Sequence, residues 1–491
     1  MRNNFFKILA LLLVTLVSCS SESNPEVTVK EVRLDKTNLE LLVGEKTTIK
    51  ASVQPARAVQ PTMQWVSSND KVATVAAGNV TAIAEGKAVI TATCEGRSAS
   101  CSVTVKTRSQ AKGITKKITF RGKEDCPFAD YAEYGIYIPE VDKINAVLVL
   151  QHGCGMEQFG ITRNYDLQYQ AFAKKWKLMV IETALHGNCY VWGDALSGSA
   201  QALFKIIEMQ AEDENHPELK NAPLLLFGHS GGGHWTLSML NNYPEKILAA
   251  VCYSAAWDPQ WTYKPIVSDI PILLRYADND CDTCEATAVH TFARLRAMNG
   301  FASIACNLGE NHNLSRLRHM AIPFYEAALR RYLDGGPAAS WLGNPGTKEV
   351  FPESGYIGDK TSLCRFLDEE TARKWQEYVK TNDVADVTPP PAPYGLEIDH
   401  MSEASARVRW MADADVESGI QRFVVLVNGS RAGFVPSSGI YQNFDLNGDN
   451  TYPTDPQAME FILTGLKPGS VIAVKTVNQY DLESEAAEIT F

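Results

Sequence analysis

The run Leu224-Leu225-Leu226-Phe227-Gly228-His229-Ser230-Gly231-Gly232, followed by Trp235-Thr236-Leu237-Ser238-Met239-Leu240, decides how this chain is read. Four consecutive apolar residues suit a strand buried on both faces, and the segment after the glycines suits a helix. A G-x-S-x-G between them demands a turn tight enough to strain the serine backbone, flanked by glycines because side chains there would clash. Such a turn lifts the Ser230 hydroxyl to the carboxyl end of a sheet and leaves the N–H of Gly231 to bind an oxyanion. These are the needs of a serine nucleophile.

From about residue 113, strands alternate with helices, which predicts an α/β layer architecture. Strands are expected at 146–150, 178–181, 224–227, 249–253, 272–276 and 301–306. Helical spacing over 318–333 closes the sheet, and a further helix near 369–381 ends the region by about residue 385.

The order strand, His152-Gly153-Cys154-Gly155, strand, Gly228 to Gly232, acid, histidine resembles the α/β-hydrolase family. That resemblance implies a base and an acid downstream of Ser230. Strand 272–276 runs into Ala277-Asp278-Asn279-Asp280, where Asp280 matches the acid position; Asp278, Asp282 and Asp258 are the competing carboxylates. Gly309-Glu310-Asn311-His312 is similar to the family's G-x-x-H and makes His312 the general base, with His319 as rival inside the closing helix. The second oxyanion donor beside Gly231 is then the N–H of Cys154 or Gly155. His229 is expected to support the turn.

His152-Gly153-Cys154 together with Asn188-Cys189-Tyr190-Val191-Trp192 resembles the secreted polyhydroxybutyrate depolymerase and feruloyl esterase group over about 115–335. The chain departs from that pattern at His229, where a small residue is usual. Cys154 and Cys189 follow strand ends and either pair or stay free; Trp192 and Trp257 form a substrate wall or simply pack. Cys281-Asp282-Thr283-Cys284 lacks the second ligand pair of a zinc site and does not open a helix after a first strand, so a structural disulfide is expected. No metal is expected. No dinucleotide or phosphate loop occurs, and acyl transfer needs no cofactor.

The start, Met1-Arg2-Asn3-Asn4-Phe5-Phe6-Lys7 and an apolar run to Val17, reads as a secretory signal over 1–18, too short for the roughly twenty residues of a membrane span. Leu16-Val17-Ser18-Cys19 resembles a lipobox, implying lipidation at Cys19, a tether over 19–26 and a place on the bacterial cell envelope, in the outer membrane and exposed at the surface. The membrane is met through that anchor alone. A net charge of −11 without basic runs excludes nucleic acid as a partner. Eleven cysteines leave ten once Cys19 is lipidated, and Cys94 with Cys101 reads as a hairpin pair.

Residues 27–106 show short alternating runs and no helical period, as in a β-sandwich. Trp65-Val66-Ser67-Ser68-Asn69, Val72-Ala73-Thr74-Val75 and Gly86-Lys87-Ala88-Val89-Ile90-Thr91-Ala92 resemble the bacterial immunoglobulin-like domain, group 2. Prolines 389–391 make 386–391 an extended linker. Residues 392–491 return to β character, with a hairpin turn at Asn428-Gly429. Leu466-Lys467-Pro468-Gly469 resembles a fibronectin type III domain; Asp445 to Asp449 is read as a polar turn, since Pro456 stands where a calcium loop needs glutamate.

The expectation is thus a multidomain chain: an α/β-hydrolase at 113–385, mostly parallel sheet with helices on both faces, flanked by two all-β sandwich domains. The family implies an esterase acting on acetyl or feruloyl esters of plant polysaccharide. A polyester depolymerase, a serine peptidase and a non-enzymatic adhesin are the alternatives.

Overall fold

The computed structural model describes residues 28–42, 46–55, 62–83, 86–106, 113–157, 166–257, 260–312, 316–335, 339–441 and 457–491. The leader, Cys19, Asp258 and the turn at 445–449 lie outside the described residues. The chain divides into two compact units after residue 108.

The first unit is all β. Asn38–Leu42, Arg97–Lys106, Gly86–Cys94 and Gln64–Ser67 form one sheet in that order, and Lys46–Thr48, Asn79–Ala82 and Ala73–Ala76 another. Leu41, Ile49, Val80, Ile90 and Val103 share its core. The expected Cys94–Cys101 bridge does not form. The hairpin register sets Cys94 against Arg97 and Cys101 against Ile90. The two cysteines therefore share a face but stand about 13 Å apart along the strand, beyond disulfide reach. Both are buried thiols.

The second unit holds an eight-stranded sheet: β1 (Gly113–Arg121), β2 (Tyr131–Pro139), β3 (Ala146–Gln151), β4 (Leu178–His186), β5 (Leu224–His229), β6 (Ile247–Tyr253), β7 (Ile272–Ala277) and β8 (Ala302–Asn307). Their order is β1-β2-β4-β3-β5-β6-β7-β8. Strands β3 to β8 run parallel; β2 is antiparallel to both β1 and β4. Every residue of β3 and β5 is buried, which accounts for their unbroken apolar runs. The chain passes from β3 outward to β4 and then returns to the far side of β3 for β5. That reversal opens a crevice at the carboxyl ends of β3 and β5, where open α/β sheets bind ligands.

The helices are α1 (Leu167–Trp176), α2 (Cys189–Trp192), α3 (Ser199–Asp213), α4 (Gly231–Asn242), α5 (Asp282–Ala297), α6 (Arg318–Asp334) and α7 (Glu369–Thr381). Among the described residues no helix is long and apolar enough to cross a membrane. The β1–β2 hairpin and a small sheet of Trp341–Gly343, Val350–Pro352 and Cys364–Phe366 were not anticipated. The small sheet sits beside α7, whose Trp375 Nε1 donates to Ile304 O of β8 at 2.8 Å.

The described residues from Tyr394 onward form two sheets of three and four strands around Trp410, Phe423, Ile472 and Val474. The proline segment is not a spacer between free bodies. Asp386 accepts hydrogen bonds from Thr388 N, Ser418 Oγ and Asn478 Nδ2 at 2.7–2.9 Å. Gln168 of α1 donates to Val416 O at 3.0 Å, Lys174 pairs with Asp413, and Ala171 enters the sandwich core. Polar side chains on both sides of the prolines thus turn an extended segment into a fixed joint.

Candidate active site

Ser230 stands between β5 and α4 with φ 54° and ψ −114°, a strained conformation for a residue with a Cβ. Its N–H donates to Tyr253 O at the end of β6, 2.8 Å away. The turn needs Gly228, where a Cβ would lie 2.0 Å from Gly232 O. Ser230 is the N-cap of α4, so the N–H of Gly231 has no partner within the helix.

The β3 turn lies against this helix start. A Cβ on Gly153 would meet Ser230 Cβ at 3.1 Å, and one on Gly231 would meet Cys154 Sγ at 2.6 Å and Cys154 N at 3.5 Å. The Cys154 N–H therefore adjoins that of Gly231, whereas Gly155 lies one residue further along the turn. His152 holds the turn: its Nε2 accepts from Leu185 N at 2.8 Å, which puts the ring proton on Nδ1, 2.6 Å from Gly153 O. Cys154 and Cys189 form a disulfide that ties the turn to α2.

His312 and Asp280 meet directly, with Nδ1 donating to Oδ1 at 2.6 Å. Asp280 Oδ2 accepts from Ser254 Oγ and its Oδ1 also accepts from Cys281 N at 2.8 Å. Burial pushes the Asp280 carboxyl up, but the hydrogen bonds from His312, Ser254 and Cys281 outweigh it and hold the carboxyl at about 2. It is thus a permanent acceptor that fixes the imidazole proton on Nδ1 and leaves Nε2 as base. Asp278 instead accepts from Gly309 N at 2.7 Å, pinning the loop before His312, and Asp282 is an exposed first-turn residue of α5. His319 is buried in α6 against Asp383, 2.8 Å away, and belongs to the joint with the C-terminal sandwich.

Three supporting residues escaped the sequence reading. Ser254 and Tyr253 follow or end a strand with no motif around them, and Arg275 looks like an ordinary strand residue. Arg275 is 1% exposed, lies over the Tyr253 ring at 4.4 Å, and donates to Ser254 Oγ and Asn311 O at 3.3 Å. A buried cation thus backs the Ser254–Asp280–His312 chain.

Trp192 is not a substrate wall. It is fully buried, tilted against His152 at 5.0 Å beneath Gly231, so it forms the floor of the oxyanion turn. The exposed aromatic surface is built instead by Tyr190, 71% exposed and tilted against the half-buried Trp257 at 4.5 Å, with His234 against Trp257 at 4.6 Å. His234 lies one helical turn beyond Ser230, its N–H bonding Ser230 O. Burial lowers the His234 imidazole below its ordinary value, so it is a neutral part of this surface. Cys281 and Cys284 are joined as a disulfide, as expected.

Residues 28–109 match the bacterial Ig-like domain (group 2), and the first unit is such a domain. No curated protein matches the chain. Among solved structures, a thermostable esterase is 16% identical over 48% of this chain and 68% of its own, with a TM-score of 0.34. The S-formylglutathione hydrolase of Staphylococcus aureus is 13% identical over 45% of this chain and 96% of its own, at 0.32. A fungal esterase of Rhizomucor miehei is 12% identical over 47% of this chain and 88% of its own, at 0.34.

Proposed function

We propose that this chain is a serine-dependent carboxylic ester hydrolase acting on acetyl or feruloyl esters of plant polysaccharide. The observation that carries the reading is the 2.6 Å His312–Asp280 pair, held at His312 O by His229, the residue before an elbow serine whose following N–H adjoins Cys154 N. Ser230 Oγ attacks the ester carbonyl while His312 Nε2 takes its proton. The Gly231 and Cys154 N–H groups receive the developing oxyanion, and donors of this kind contribute roughly 10²–10³ in rate. The imidazolium, steadied by Asp280, then gives its proton to the leaving alcohol, and water repeats the cycle on the acyl-enzyme.

The exposed Tyr190–Trp257 surface supports a planar acyl or sugar group as the part recognised. The Cys19 lipobox supports anchoring at the outer face of the cell envelope, with the Ig-like unit as spacer. The test is hydrolysis of acetylated xylan, methyl ferulate, polyhydroxybutyrate and peptides by the chain from residue 25, beside Ser230→Ala. Release of acetate or ferulate that vanishes in the variant is the expected result. Activity on peptides alone overturns the esterase reading, activity on polyhydroxybutyrate alone makes the enzyme a polyester depolymerase, and activity that survives in Ser230→Ala overturns the mechanism.

A further inference from the structure

The Cys281–Cys284 disulfide directly follows Asp280 and caps α5, yet acyl transfer makes no use of it. Cys284 Sγ lies 3.6 Å from His312 Nδ1, the nitrogen that bonds Asp280. Asp280, Cys281, Cys284 and His312 each present one ligand atom, and all of these lie within 4.8 Å of one another. Two sulfurs, an imidazole nitrogen and a carboxylate oxygen make a tetrahedral donor set suited to zinc. While the sulfurs are bonded to each other they cannot serve as thiolates, and only two ligands remain.

Building on the hydrolase reading, we propose that reduction of Cys281–Cys284 turns the acid–base pair into a zinc site that shuts the enzyme off. An external dithiol gives two electrons and two protons to the S–S bond, yielding two thiols, and is itself oxidised to a disulfide. Zinc displaces both thiol protons and binds the two thiolates, one Asp280 oxygen and His312 Nδ1. The sulfurs need to part only to about 3.8 Å, the edge of a tetrahedron with 2.3 Å Zn–S bonds. The N-terminus of a sixteen-residue helix favours thiolates at this place. With zinc on Nδ1, the ring proton passes through solvent to Nε2. His312 then has no lone pair with which to take the Ser230 proton. Cys281 is exposed, so a dithiol can reach it.

Cobalt(II) reads the site without reference to catalysis. Ser230→Ala protein is reduced with dithiothreitol, freed of it by desalting without air, and titrated with cobalt. The expected result is one cobalt per chain with a thiolate-to-metal charge-transfer band, absent from oxidised protein and from Cys281→Ser/Cys284→Ser. In reduced wild type, one equivalent of zinc is expected to lower hydrolysis at least tenfold and a chelator to restore it. No band in the reduced protein, a band that persists in the double serine variant, or bound metal that leaves hydrolysis unchanged overturns the proposal. Failure to hydrolyse any ester in every arm overturns the hydrolase reading and with it the shut-off, while the cobalt titration still decides the site.

Discussion

His229 Nε2 donates to the backbone carbonyl of His312 at 3.0 Å, so the residue before the elbow serine holds the loop that carries the base. Tyr253 OH donates to the same oxygen at 2.8 Å, and its ring stacks on His229 at 4.5 Å. One carbonyl with two buried donors fixes where the imidazole stands relative to Ser230.

His229→Ala is therefore expected to lower kcat by about 10–100-fold with little change in KM, because a base displaced by about 1 Å costs on that order. Tyr253→Phe, which leaves His229 in place, should cost less than tenfold. Steady-state kinetics on a chromogenic acetate ester check both; an unchanged kcat in His229→Ala would falsify the clamp.

Asp280→Asn should lower kcat by about 10⁴-fold through the wrong imidazole tautomer, while Asp278→Asn and Asp282→Asn retain most activity. With its folded value depressed to about 2, the Asp280 carboxylate contributes stability that is present above the ordinary value near 4 and lost as pH falls through 2. That contribution is on the order of 2 kcal/mol for a carboxyl this deeply buried. Urea unfolding from pH 6 down to pH 2.5 should show wild type converging on Asp280→Asn.

Gly228→Ala has no room, since the new methyl would overlap the Gly232 carbonyl. A loss of more than about 4 kcal/mol is expected. Chemical denaturation of the variant, or its failure to appear in the soluble fraction, measures this; near-wild-type stability contradicts the tight crossing of β5 and α4.

The joint to the C-terminal sandwich carries a pH dependence of opposite sign. Burial, then a hydrogen bond with Glu417 and the charge on Asp386, raise the Asp415 carboxyl to about 8, and both acids bond the Asn478 amide. A carboxyl raised in the folded state stabilises fully below its unfolded value near 4, and that stability is lost as pH rises through 8. The Tm of wild type should fall between about pH 5 and 8, and Asp415→Asn should flatten the fall. Equal slopes for the two proteins would remove the pair as its cause.

The parallel strands were legible because burial on both faces leaves unbroken apolar runs, as in 146–150 and 224–227. The β1–β2 hairpin was not, because Lys116 and Lys117 interrupt its pattern at the sheet edge. Asp280 could be preferred over Asp278 by motif, but only the fold shows that Asp278 is spent on Gly309 N. Trp192 and Tyr190, two residues apart on a single helical turn, exchange the roles expected for tryptophan: one is floor, the other surface.

Local chemistry along the chain determined the strand-turn-helix at Ser230, the order of the acid and base, and the β character of both ends. Each depends on neighbours within a few residues, where apolar runs and glycines act directly. The tertiary structure alone decided the His229–His312 clamp, the Arg275 cation behind Asp280, the fixed joint at the prolines, and the contact of the Cys281–Cys284 disulfide with the base. Those contacts join residues up to 248 positions apart, brought together by sheet order, and no local pattern encodes which partner waits across the crevice. The elbow is written in five residues; what surrounds it is set by how eight strands are ordered.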